Sequence, residues 1–426
     1  MRFTVVTYGT EGDTRPQVAV CRGLLNRGHE VQLFGDRSSL TIAEAQGIPA
    51  RALAGDMKAT VGPGGVLSEL VRESGDVTQM AKAVARIAGE NTASWLQDVA
   101  AHAKASDAIL FSGLTAYVGL CAAEHLRLPG VGLGLFPMSP TTAFPSPLLR
   151  PWKLPGWLNR LSHQAVNALA WTLFRKSINA ARRDVLGQAP RKKMWRAYPI
   201  LYGVSRHLVP QPADWPEIWK VCGAWSVESG SWTPPAALTE FLSAGKPPIY
   251  VGFGSMAGFD KQKLAAALVE AVDGRRALFY AGWSGIDPAS LPGNFFTIGA
   301  TPHDWLFPRS SLVIHHGGAG TSHTASRAGV PSVVIPFAGD QFFWAGRLAS
   351  AGVAPQYVPH ARLDGKSLSR MIAFAEDPEV VQRAKVLGEA MANEDGVSCA
   401  VEHIERLTLQ RFRPNASLQP PALGGG

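Results

Sequence analysis

The chain reads as an α/β protein built from two parallel-sheet domains in tandem. Three observations predict this. The chain has 426 residues, too many for one ordinary core, with 46% hydrophobic and 17% charged residues. It opens with a strand–loop–helix–strand unit, the signature of a parallel sheet. After a Pro-rich break, a second series of alternating strands and helices begins.

In the opening unit FTVVTY is a β-branched strand and GTEGDTRP a loop. PQVAVCRGLLNR is a helix with Pro16 in its first turn and Gly28 just beyond its end, and EVQLFG is the next strand. Strands are expected again at 108–112 and 131–135, with helices near 79–104 and 116–126. Segment 136–160 is rich in Pro and aromatics and is expected to be irregular. A second break, 210–236, holds five prolines and is expected to join the domains. The second series has strands at 249–255, 277–281, 295–298, 311–315 and 332–335. Its helices are expected at 260–273, 319–328 and 341–351, followed by 380–393 and 397–409.

Composition excludes several classes. The formal charge is +8, but Lys and Arg are spread along the chain, so a nucleic-acid partner is not expected. The densest basic segment, 175–196, reads as a solvated helix face. Alternatively, with Trp152, Trp157, Trp171 and Phe174 nearby, it reads as a weak contact with an acidic membrane surface. Cys21, Cys121, Cys222 and Cys399 are scattered, which argues against a zinc site or disulfide framework and for a reducing, cytoplasmic setting. No signal-peptide pattern and no run of 18 apolar residues is present.

The strongest local signal is HHGGAGTSHTASRAGVPSVVIPFAGDQ, 315–341. A strand ending at His315 meets a Gly-rich turn and then a helix, whose free N–H groups and dipole form an anion site. Gly317, Gly318 and Gly320 allow a phosphate to approach the backbone, while His316 and Thr321 offer donors. The next strand ends in Asp340 and Gln341, a carboxylate and amide suited to paired sugar hydroxyls. In open parallel sheets ligands bind at the carboxyl ends of strands, so these loops and the GTEGDTRP loop would line one cleft. Asp13 in that loop is either a general base or a helix cap.

This segment resembles the donor-binding signature of the family 1 glycosyltransferases, and HHGGAGT, GDQFFW and PHDWLF are closest to the sterol and bacterial antibiotic branch. The resemblance implies the GT-B fold, two Rossmann-like parallel-sheet domains facing each other across a cleft. It implies an acceptor-binding domain at 1–225, a linker at 226–240 and a nucleotide-sugar domain at 241–395. A helix at 396–412 would pack back towards the first domain, and 413–426 would be a disordered tail. It places Ser255, His316, Gly318, Gly320, Thr321, Asp340 and Gln341 on the donor, TPHDWLFP (301–308) on the nucleobase side, and Asp13 as catalytic base. The implied reaction is inverting, without a metal or cofactor, with UDP-glucose (or a dTDP-sugar) as co-substrate and a lipophilic hydroxyl as acceptor. Phe136, Met138, Phe144, Trp152 and Trp157 are the acceptor-side candidates, and each reads equally as core. A monomer or homodimer is expected. Thr324 stands where the plant pattern has a ribose-holding Glu, and 299–301 replaces a base-stacking Trp, leaving UDP and dTDP both open. Three rivals remain: an NAD enzyme, which would need G-x-G-x-x-G at 9–14; an epimerase or hydrolase; and a non-catalytic partner, which would be expected to lose the donor signature. A metal at His315–His316 is disfavoured because neighbours in a strand point apart.

Overall fold

The computed structural model describes residues 1–61, 77–150, 155–195, 197–227, 232–254, 256 and 259–410. Ser255, Trp152 and the tail from 413 lie outside them, as do 228–231 of the expected linker.

Two all-parallel sheets organise the chain. The first has seven strands in the order β3-β2-β1-β4-β5-β6-β7. These are β1 Arg2–Val6, β2 Glu30–Asp36, β3 Ala50–Leu53, β4 Ala108–Phe111, β5 Gly130–Gly134, β6 Ile200–Tyr202 and β7 Trp219–Val221. Side chains alternate across it. Phe3, Val5, Leu33, Leu110 and Leu133 face helix α1 (Glu11–Asn26). Val6, Phe34, Ile109 and Phe111 face α2 (Val77–His102), α3 (Ala116–Leu126) and α4 (Gly156–Leu186). Cover on both faces explains why β1 and β4 are almost wholly buried.

The second sheet has the order β10-β9-β8-β11-β12. Its strands are β8 Ile249–Gly252, β9 Ala277–Tyr280, β10 Phe295–Ile298, β11 Leu312–His315 and β12 Ser332–Val334. Around it lie α5 Ala236–Ser243, α6 Lys261–Val272, α7 Ala319–Arg327, α8 Gln341–Ser350, α9 Gly365–Ala375 and α10 Pro378–Ala392. The last helix, α11 (Gly396–Gln410), returns to the first domain. Its Ala400, Val401 and Ile404 join the core under α1, and its Glu405 pairs with Arg27 at 2.8 Å and His29 at 2.7 Å.

Several expectations need correction. The Pro-rich break 210–236 contains β7, an edge strand of three residues. The irregular stretch ends at Pro155 rather than at 160. A 31-residue helix, roughly 46 Å long, begins at Gly156, where Pro155 sets the entry. The basic segment is not a simple solvated face. Arg182 is buried and grips Glu124 at 3.0 Å; Arg191 reaches the same carboxylate at 2.9 Å, with its guanidinium over Trp195. Trp171 and Phe174 are not surface anchors, because both pack on Tyr117.

A further apolar cluster joins the domains. Phe144, Tyr202, Val204 and Leu208 meet Val334, Phe343, Trp344 and Leu348. The Ser205 N–H donates to His323 Nε2 at 3.1 Å, and Arg347 Nε donates to Leu208 O.

Candidate active site

The cleft is built where strand ends of both sheets meet. His315 is in register with Gly252 on one side and Val334 on the other, so the turns after β8, β11 and β12 lie abreast. The first turn of α1 faces them. Arg15 acts electrostatically on His303, Glu11 on Tyr280, and Asp13 on Asp340.

After β11, Gly317 turns the chain with φ +90°, and Gly318 precedes α7 with no side chain capping that helix. The first N–H groups of α7 are therefore left for another partner. Among the described residues no heavy atom outside its own helix lies within 4 Å of the place a side chain would take at Gly320. The His316 imidazole lies against Gly254 and Gly318; a Cβ at Gly318 would sit 2.5 Å from its Nε2. Burial lowers its pKa to about 4, so it is neutral near pH 7 and carries one N–H donor. Its Nδ1 is buried without a partner. His315 turns away, with its ring at 88° to His316 and its Nδ1 accepting from the Gly317 N–H.

Asp340 and Gln341 stand where β12 passes into α8. Asp340 Oδ2 accepts from Trp344 Nε1 at 2.8 Å, and burial raises its pKa to about 6. Gln341 is turned inward. Its Oε1 accepts from the N–H groups of Phe337 and Ala338, and its Nε2 donates to Met256 Sδ at 3.0 Å. Its amide thus shapes the loop behind Asp340, and its acceptor oxygen is already occupied. Thr321 is half-buried in the first turn of α7. Thr324, at the position expected to hold ribose in the plant pattern, donates instead to Gly320 O of its own helix. On the nucleobase-side loop half-buried His303 packs against Phe307 and Tyr250, and Trp305 packs on Trp232.

Asp13 is a helix cap, and its geometry leaves one carboxylate oxygen outside that role. It occupies the third position of α1, and its Oδ2 accepts from the Thr10 N–H at 2.8 Å and the Thr10 hydroxyl at 3.2 Å, closing a capping box. Both contacts use one oxygen and leave Oδ1 outside them. Burial raises its pKa above the ordinary carboxylate value. A Cβ at Gly9 would strike this carboxylate, so Gly9 leaves room for it.

On the acceptor side, Phe136 and Met138 follow β5 and are half-buried. Phe144 is core: it packs on Phe343 across the domain boundary. Trp157 is 63% exposed on α4. The loop is pinned by Asn159 Nδ2 donating to Thr142 O, by His163 Nε2 donating to Phe144 O, and by Asp214 accepting from Thr141 and Thr142. His323 went unread in the sequence, although it lies inside the Gly-rich signature. It is neutral, accepts from Ser205, donates to Ala319 O at 2.7 Å, and packs on Trp344.

Comparison with known proteins agrees with this geometry. Residues 265–407 match the model of the erythromycin biosynthesis protein CIII-like C-terminal domain. Solved structures share the whole architecture. The calicheamicin glycosyltransferase CalG4 aligns over 97% of this chain and 99% of its own, with a TM-score of 0.69 at 18% identity. The glycosyltransferase VinC, solved with dTDP, aligns over 96% and 100%, also at 0.69 and 18%. These likenesses establish the GT-B fold. A sterol 3-beta-glucosyltransferase of Arabidopsis thaliana is 31% identical over 95% of this chain and 68% of its own length. One from Aspergillus fumigatus is 32% identical over 99% of this chain but 31% of its own length, so the chain spans about a third of that fungal relative. The chain belongs to the family 1 glycosyltransferases, on the branch of the sterol 3-beta-glucosyltransferases.

Proposed function

We propose that the chain is an inverting, metal-independent hexosyltransferase. It moves glucose from UDP-glucose, or a hexose from a dTDP-sugar, to a hydroxyl of a lipophilic molecule such as a sterol or polyketide aglycone. The observation that carries this is the uncapped α7 N-terminus with neutral His316 beside it, set opposite Asp13. The diphosphate sits on the N–H groups of 318–321 and on His316, and Asp340 accepts from sugar hydroxyls. The acceptor hydroxyl attacks the anomeric carbon as the sugar–phosphate bond breaks, and its proton passes to Asp13 Oδ1. Charge growing on the leaving diphosphate is met by the helix dipole and the His316 N–H, the role a metal would otherwise fill. The relatives' names motivate the sterol acceptor, and VinC's dTDP the alternative nucleotide.

The test is a donor-by-acceptor screen read by mass spectrometry on wild type and Asp13→Asn. The variant is expected to bind nucleotide sugar as before and to lose transfer by about 10²–10⁴-fold. Full transfer in that variant removes Asp13 as base. Sugar hydrolysis or epimerisation with every acceptor absent from the product would point to the epimerase or hydrolase reading. The anomeric coupling of the product should show inversion, and activity should survive a chelator; retention, or a strict metal requirement, counts against the mechanism.

A further inference from the structure

The chain passes between the domains twice, outward after β7 and back just before α11. The two crossings touch. Gly223 has φ +108°, and a Cβ built on Gly396 would lie 2.4 Å from the Gly223 carbonyl carbon and 2.5 Å from Ala224 O. Trp225 Nε1 donates to Gly396 O at 3.0 Å, and the Arg206 N–H donates to Glu394 at 2.9 Å. Two cysteines flank this contact. Cys222 precedes Gly223 and is buried. Cys399 lies three residues beyond Gly396, on the same side of α11, and is half-exposed. Cys222 belongs to the core cluster against which Cys399 packs.

We infer that Cys222 and Cys399 form a redox-modification site that hydrogen peroxide converts to a disulfide, stapling the two domain crossings together. The surroundings divide the roles. Cys399 ends the first turn of α11, where the helix dipole favours a thiolate. The neighbouring Cys222 thiol, with Arg206 and Lys220, draws its pKa down to about 7, against opposing pushes from burial and, more weakly, Glu402. His403 Nδ1 is 4.0 Å from its sulfur, and burial lowers that imidazole's pKa. Cys222 is pushed the other way by Cys399 and by burial, so it stays a thiol. Cys399 is thus the attacking thiolate and Cys222 the resolving thiol. The Cys399 thiolate displaces hydroxide from the peroxide and becomes a sulfenic acid. The Cys222 sulfur then attacks that sulfur and expels water. Overall, two thiols and one peroxide give one disulfide and two waters. Cys21, buried on the inner face of α1, and Cys121, beside Arg182, are expected to remain reduced.

Peroxide treatment of the whole chain, followed by thiol titration and peptide mapping, tests this independently of any transferase activity. The four thiols should fall to two, with one cross-linked peptide pair joining Cys222 to Cys399. Cys222→Ser should leave a sulfenic acid at Cys399 that dimedone traps, and Cys399→Ser should leave Cys222 unreacted. The oxidised wild type should melt several degrees higher than the reduced chain, reversibly with dithiothreitol, because the cross-link closes a long loop. A different pairing, intermolecular cross-links, or a Cys399 no more reactive than Cys21 would overturn the pair. An unchanged melting temperature in the cross-linked chain would overturn the staple.

Discussion

At the scale of single residues, the cleft is a place where two carboxyls hold protons more tightly than in water. For Asp340, burial raises the pKa from 3.8 to about 6, with a smaller push from Asp13. A carboxyl whose folded pKa lies above its unfolded one favours folding while protonated. That contribution is complete below the unfolded value and is lost as pH climbs through about 6. Urea midpoints at about pH 4 and about pH 7 should therefore show wild type losing on the order of 1 kcal/mol relative to Asp340→Asn. Equal pH dependence in both would show that the carboxyl is not desolvated. The sequence placed Asp340, His316 and Asp13 on neighbouring strand ends, because each follows a buried strand that ends in a Gly-containing loop. It did not disclose that Gln341 spends its acceptor oxygen on Phe337 and Ala338, which depends on how the 335–340 turn folds back. Nor did it disclose that Asp13 is cap and base candidate at once, since one carboxylate has two oxygens to divide.

At the scale of elements, the Gly-rich turn is constrained from two sides. Gly317 needs φ +90°, and a Cβ there would lie 2.7 Å from Val334 and 3.0 Å from Gln341 O. Gly317→Ala is expected to destabilise the second domain by about 1–3 kcal/mol and to weaken donor binding. Thermal unfolding with and without nucleotide checks both; an unperturbed melt would mean the turn has slack. Strands in this half were legible because each is a short apolar run bounded by Gly or Pro, whereas α5 and α9 were not expected. The first half hid more. β3, β6 and β7 span only three or four residues, too short for a periodic signal. Helix α4 was obscured by the prolines before it, and its interior cations read as surface until Glu124, far away in sequence, was seen to gather Arg182 and Arg191.

At the scale of the whole molecule, α4 presents two unlike faces. One holds the acceptor-side loop through Asn159 and His163. The other exposes Trp157, Leu161 and Leu169 at 63%, 48% and 54%. The helix also exposes Arg160, Arg175, Lys176 and Arg183, with no Asp or Glu between 157 and 183. Among the described residues no helix is long and apolar enough to cross a membrane. We propose that this face rests on an anionic bilayer, from which a lipophilic acceptor reaches the cleft. Vesicles containing phosphatidylglycerol should carry the chain in flotation, and phosphatidylcholine alone should carry much less. Leu161→Asp with Leu169→Asp should abolish flotation while the fold, read by circular dichroism, is kept. Flotation indifferent to lipid charge or to these substitutions would sink the idea.

The bond between Ser205 and His323 ties the helix proposed to seat the phosphate to the first domain. His323 sits one turn along the helix whose N-terminus is the proposed diphosphate seat, and its ring packs on Trp344, which holds Asp340. A hinge motion that parts the domains must either break that bond or turn the helix with it. Under the proposed function the two halves would work as a latch rather than as two independent cups: the grip on the donor and the closeness of the base to the acceptor would be set by the same movement.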